Sequence, residues 1–176
     1  MSLELLRQRL TEAGAFLVQA QGPLQLVHAL TLFADHPLYL EDHPWLRSAA
    51  SLLLEEFSAQ ISFISPTVFP APALDITAVT IGLGAVPETG SVLLGSRSPQ
   101  AFALSLCPRR HIIIIPADRS VLTMAAALAV TAREPSGLVT WVTGPSRTAD
   151  IEKVLVLGAQ GASELIVIIY HEERDQ

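Results

Sequence analysis

Leu3, Leu6 and Leu10, with Leu5 beside them, recur at helical spacing, and Gly14 follows as a stop, so residues 2–13 are expected to form an amphipathic helix. Residues 15–19 read as a strand. Pro23 suits a first helical turn, and residues 24–33 read as a helix that ends before Asp35-His36-Pro37. A short strand at 38–40, a helix at 44–57 and a strand at 61–64 continue the alternation. Residues 65–74 hold three prolines and form a loop. Strands are expected at 76–81 and 91–94, joined by a turn rich in Gly and Pro. Ile112 to Ile115, four consecutive β-branched residues, fit a central strand buried on both faces. Residues 120–132 are alanine-rich and helical, with Asp118 near the start, where an acidic side chain suits the helix dipole. Strands follow at 138–143 and 165–169. The apolar run 154–157 is too short to reveal its period and stays open between helix and strand.

Helices and strands that alternate at short spacing are the habit of crossover units, so the expected fold is α/β, a mostly parallel sheet flanked by helices. With 176 residues, one domain over 1–176 is expected.

Half of the residues are hydrophobic and 16% are charged, with a mean hydropathy of +0.44. That balance would suggest a membrane protein if the apolar residues were continuous. The longest apolar run is the short stretch from Met124 to Val130, however, whereas a bilayer span needs roughly 20 residues. A soluble chain with doubly buried strands is expected, without a membrane partner. The start, Met1-Ser2-Leu3-Glu4, has neither a basic nor an apolar signal region, so the cytoplasm is the expected location.

The formal net charge is −6, and beyond Arg109-Arg110 no cations cluster, which argues against nucleic acid as a partner. Lys153 is the only lysine, so Schiff-base chemistry would have a single candidate. Cys107 is the only cysteine. No internal disulfide can form, and an iron–sulfur cluster, which normally takes four thiolates, would have to come from another chain. No resident cofactor or metal is expected, and Cys107 reads as a small core residue beside Leu104 and Leu106. The echo of Asp35-His36-Pro37 in Asp42-His43-Pro44 reads as two similar turns rather than a metal site.

Two segments carry candidate chemistry. In Gly82-Leu83-Gly84-Ala85-Val86-Pro87-Glu88-Thr89-Gly90, glycines let backbone amides approach a ligand beside a lone carboxylate. Glu88 is the candidate catalytic group and Gly84, Thr89 and Gly90 candidate ligand contacts; the alternative is a plain turn with a solvated Glu88. The second segment, Thr143-Gly144-Pro145-Ser146-Arg147-Thr148-Ala149-Asp150-Ile151-Glu152, is expected at the carboxyl end of a strand, where open α/β sheets bind ligands. Thr143, Gly144, Ser146, Arg147, Thr148, Asp150 and Glu152 would offer hydroxyls, a guanidinium and amides to a carboxylate or phosphate. The alternative there is a cap on a helix turn, with Asp150 pairing Arg147. The P-loop ending Gly-Lys-Ser/Thr is absent. His111 is a weaker candidate base, more simply satisfied by a neighbouring carbonyl. Arg109 and Arg110 read as an anion site or a solvated turn. Ser65, Ser91, Ser96 and Ser105 lack the G-x-S-x-G frame of a hydrolase.

Taken in order, five stretches resemble the LUD family, and within it the lactate-utilisation protein C branch. They are Glu41-Asp42-His43-Pro44-Trp45-Leu46, Glu88-Thr89-Gly90-Ser91-Val92-Leu93-Leu94, His111-Ile112-Ile113-Ile114-Ile115-Pro116-Ala117, the ten residues from Thr143 to Glu152, and the stretch from Leu155 to Gly161. The resemblance runs from about residue 40 to 170 and implies a fold like that of the NagB/RpiA/CoA-transferase superfamily. It also implies a place in the oxidation of L-lactate to pyruvate alongside iron–sulfur partner subunits.

Three functions follow as expectations. The first is an accessory or ligand-binding component, in which the Glu88 turn and the loop from Thr143 to Glu152 line one pocket for a small carboxylate or phosphate-bearing ligand. The second is an acyl-CoA-dependent transferase with Glu88 as nucleophile and the Gly90 amide among the oxyanion donors. The third is a ligand-free scaffold that docks other lactate-utilisation subunits.

Overall fold

The computed structural model describes residues 2–33, 37–56, 61–63, 75–95, 99–135, 138–149, 155–157 and 161–172. The first half of the chain runs α1 (Leu3–Glu12), β1 (Phe16–Gln21), α2 (Gly22–Thr31), β2 (Leu38–Leu40), α3 (Pro44–Glu56), β3 (Ile61–Phe63), β4 (Thr77–Ile81), β5 (Gly84–Val86) and β6 (Ser91–Gly95). It continues with α4 (Pro99–Leu106), β7 (Arg110–Pro116), a 3₁₀ turn (Ala117–Arg119), α5 (Met124–Ala132), β8 (Val139–Val142), β9 (Arg147–Ala149), β10 (Leu155–Leu157) and β11 (Glu164–His171).

Six strands form the main sheet in the order β1-β11-β7-β4-β2-β3, and every neighbouring pair is parallel. The expected α/β fold with a mostly parallel sheet flanked by helices is therefore present. From β2 the chain steps outward to β3, whereas from β4 it steps the other way, to β7 and then β11. The direction of winding thus reverses between β2 and β4.

The isoleucine-rich runs of β7 and β11 are continuous because both faces are covered. Ile112, Ile114, Ile166 and Ile168 pack toward Leu26, Leu30, Leu46 and Leu53 of α2 and α3. Ile113, Ile115, Val167 and Ile169 face the opposite core, formed with Leu6 and Leu10 of α1 and with Val92 and Leu94 of β6. Strand β6 belongs to a separate three-stranded antiparallel sheet, β5-β6-β8, that lies over this second face. Its far side receives α5 through Val86, Leu93 and Ala127.

Several local expectations are corrected. The Gly/Pro-rich segment before residue 91 is not all turn, since Gly84–Val86 pair with Ser91–Leu93 as a hairpin strand. The helix expected from residue 120 starts at Met124, because the Thr123 hydroxyl caps it by accepting from the Ala126 amide at 3.1 Å. Pro99–Leu106, to which the periodicity assigned no element, is a helix with proline in its first turn. Residues 155–157 are a strand, paired antiparallel with β9. None of the helices among the described residues is long and apolar enough to cross a membrane.

Candidate functional site

The two candidate segments meet through side-chain hydroxyls. The β5–β6 turn, residues 87–90, closes with the Thr89 and Gly90 amides both donating to the Val86 carbonyl, at 3.3 and 3.0 Å. Gly90 has φ +68, and a Cβ there would lie 2.6 Å from Arg9 Cβ of α1, so the turn fits beneath α1 only with glycine. From this turn the Thr89 hydroxyl donates to Ser91 Oγ at 2.8 Å, and Ser91 Oγ lies 2.7 Å from Thr143 Oγ1 at the end of β8. Three hydroxyls thus form a chain from one candidate segment to the other.

The structure does not bring all the expected residues together. Glu88 is exposed at the tip of the turn. The Gly90 amide, an oxyanion donor in the transferase reading, is already taken by Val86. Gly84 lies within β5, where a Cβ would come 2.5 Å from Leu122 Cδ1, so close packing accounts for this glycine. Arg147 is exposed beside Gly14, and Thr148 sits in the backbone of β9. Asp150 and Glu152 lie outside the described residues, as do Asp35, His36, Ser65 and Ser96.

The position expected for the second segment is corrected. Because β8 belongs to the antiparallel sheet, its end does not open onto the carboxyl edge of the parallel one. The Ser146 amide donates to the Ala162 carbonyl at 2.8 Å, which ties this loop to the chain entering β11, at the amino edge of the main sheet. Residues 147–149 are a strand and not the capped helix turn considered from the sequence.

Between the loop and the main sheet lies a cavity of about 210 Å³, lined among others by Ser105, His111, Thr143, Gly144 and Ser146. His111 is 1% exposed. Its Nε2 lies 2.8 Å from Thr80 Oγ1, so a hydroxyl, not the expected carbonyl, satisfies it. Burial lowers its pKa from 6.5 to about 3, and the ring is neutral at physiological pH. The cavity therefore presents hydroxyls and a neutral imidazole, groups that suit hydrogen bonding to a small carboxylate or hydroxy acid. Arg109 and Arg110 are not a solvated turn, since both pair with Glu164 and Arg110 also donates to the Phe33 carbonyl. Cys107 is half-buried at the end of α4.

At the opposite, carboxyl edge of the sheet a second hollow of about 310 Å³ lies where the winding reverses, past the ends of β2 and β4. Its lining includes Glu41, His43, Trp45, Asp118, Arg119 and Glu172. A Glu41 carboxylate oxygen accepts from the Ile81 amide at 2.7 Å, and Trp45 Nε1 donates to Glu172 at 3.0 Å. The Trp45 ring meets His43 and Tyr170 edge-on, with centroids 5.0 and 4.9 Å apart. Of these side chains residue type brings only His43 into consideration, within the Asp42-His43-Pro44 echo, and there it reads as part of a turn. The usable signal was topological, because such crevices open beyond strand ends at a reversal, and the reversal is invisible until strand order is known. Among the described residues no group of three or more His, Cys, Asp or Glu is placed to hold a metal ion.

Comparison with known proteins agrees with this architecture. A crystallised DUF162 family protein of Deinococcus radiodurans superposes with a TM-score of 0.69 over 96% of both chains, at 22% identity. The chain is 36% identical over 131 residues to lactate utilization protein C of Deinococcus radiodurans, covering 72% of this chain and 57% of that protein. It is 39% identical over 88 residues to the protein of the same name in Geobacillus kaustophilus, covering 47% of this chain and 37% of that one. The chain thus spans little more than half the length of the first relative and less of the second. The LUD domain model matches residues 40–170, a span that holds the hydroxyl chain, the cavity beside His111 and most of the lining of the hollow past β2 and β4. On that match, the chain belongs to the LUD domain family.

Proposed function

We propose that the protein is a ligand-binding component of lactate utilisation, acting in the cytoplasm and taking a small carboxylate in the cavity beside His111. The observation that carries this reading is the hydroxyl chain Thr89–Ser91–Thr143, which joins the two candidate segments and ends at Thr143, in the wall of that cavity. Thr143, Ser146 and the Gly144 backbone would grip the carboxylate. A neutral His111 would hydrogen-bond the hydroxyl or carbonyl of the ligand at no cost in buried charge. Among the described residues the lining holds hydroxyls and no guanidinium, which favours a monoanionic carboxylate over a phosphate.

The relatives' name, lactate utilization protein C, supports a role in lactate utilisation, and within it we propose a place in the oxidation of lactate to pyruvate. This chain brings a single cysteine, so electrons would pass through clusters held by iron–sulfur partner proteins. Isothermal titration with lactate, pyruvate, acyl-CoA and nucleotides tests the reading. Saturable heat with lactate or pyruvate, lost in Ser146→Ala, is the expected result, and no heat with any of these ligands counts against it.

A further inference from the structure

We propose that the hollow past the carboxyl ends of β2 and β4 binds a free aliphatic α-amino acid. This is a second site, at the opposite edge of the sheet from His111 and independent of any role in lactate utilisation. Three observations converge on it.

The first is position. A crevice at a reversal of winding is where open parallel sheets bind ligands, because the flanking connections diverge there and leave the strand ends uncovered. At about 310 Å³ the hollow lies at the small end of ligand pockets, enough for one small molecule and too small for a dinucleotide.

The second is the arrangement of charge. Among the described residues the lining carries the carboxylates Glu41, Asp118 and Glu172 together with the guanidinium of Arg119. Asp118 and Arg119 are exposed neighbours, and among the described residues neither makes a hydrogen bond or an ion pair. Three acids would repel a simple anion such as lactate or phosphate, and Arg119 would repel a simple amine. A ligand that carries both charges meets both. Its ammonium has three donors for the carboxylates, and its carboxylate fits the planar guanidinium fork.

The third is the apolar part of the wall. Ile81, Leu83 and the Trp45 ring line the same hollow and offer contact to a hydrocarbon side chain. Trp45 is held in place by Glu172, so this surface is formed before any ligand arrives.

Calorimetry on the full chain with L-valine, isovalerate and isobutylamine tests the proposal, because the last two each lack one of valine's charges. Valine should bind saturably and the other two at least about tenfold more weakly, the worth of one charged hydrogen-bonded contact. Arg119→Gln and Asp118→Asn alter exposed side chains and should each weaken valine by a similar factor while the tryptophan fluorescence of the free protein stays unchanged. Absence of heat with valine, equal binding of isovalerate or isobutylamine, or variants that bind like the parent protein would each overturn the proposal.

Discussion

The Ser91 side-chain oxygen lies 2.7 Å from that of Thr143, across 52 positions of sequence. This contact and the one from Thr89 to Ser91 fasten the β5–β6 turn to the end of β8. Ser91 is 3% exposed, so its hydroxyl depends on these partners and not on water. Ser91→Ala should cost about 1 kcal/mol in urea unfolding, with a coupling of about 0.5–1 kcal/mol to Thr143→Val in a double-mutant cycle. Strict additivity would mean that the contact contributes nothing to holding the two strands together.

Gly90 takes a left-handed conformation against Arg9. Gly90→Ala adds the cost of that conformation, about 1–2 kcal/mol for a residue with a Cβ, to a close approach that α1 must yield to. The urea midpoint should fall accordingly, and amide protection along α1 should fall with it. An unchanged midpoint would show that α1 does not press on the turn.

His111 supplies a pH dependence whose sign follows from its burial. Its pKa falls from 6.5 to about 3 on folding, so between those values the unfolded chain binds more protons than the folded one. Its stability contribution is complete above pH 6.5 and declines as pH drops toward 3, by up to about 1.4 kcal/mol per pH unit. His111→Gln, which keeps a polar partner for Thr80, should show a shallower loss of stability than the parent protein between pH 6.5 and 4. Parallel curves would mean that His111 charges freely in the folded state.

Glu88 is solvated, so Glu88→Gln should change stability by less than about 0.5 kcal/mol. Mass spectrometry after incubation with acyl-CoA should find the parent protein unmodified. An adduct that disappears in Glu88→Gln would establish the transferase chemistry instead.

Continuous apolar runs made the main sheet legible in the sequence. The isoleucines of β7 and the run in β11 could be satisfied only between two apolar layers, and helical periodicity marked α1. The residues of the candidate site were legible as types, because Thr89, Gly90, Thr143 and Gly144 stand in segments too rich in turn formers to be core. Local pattern did not say which sheet a strand joins. Val139–Val142 reads the same in either sheet, yet its pairing with β6 puts Thr143 beside Ser91 and moves the following loop to the amino edge.

The order of strands, and with it the reversal between β2 and β4, is likewise a property of long-range pairing. Glu41, Trp45, Arg119 and Glu172 are unremarkable as single residues, and they share one hollow only because parallel strands far apart in the chain end on the same side. Hydrophobic periodicity acts over a few residues and is written in the sequence. Strand order depends on which faces can be buried together, and that is decided when the whole chain packs.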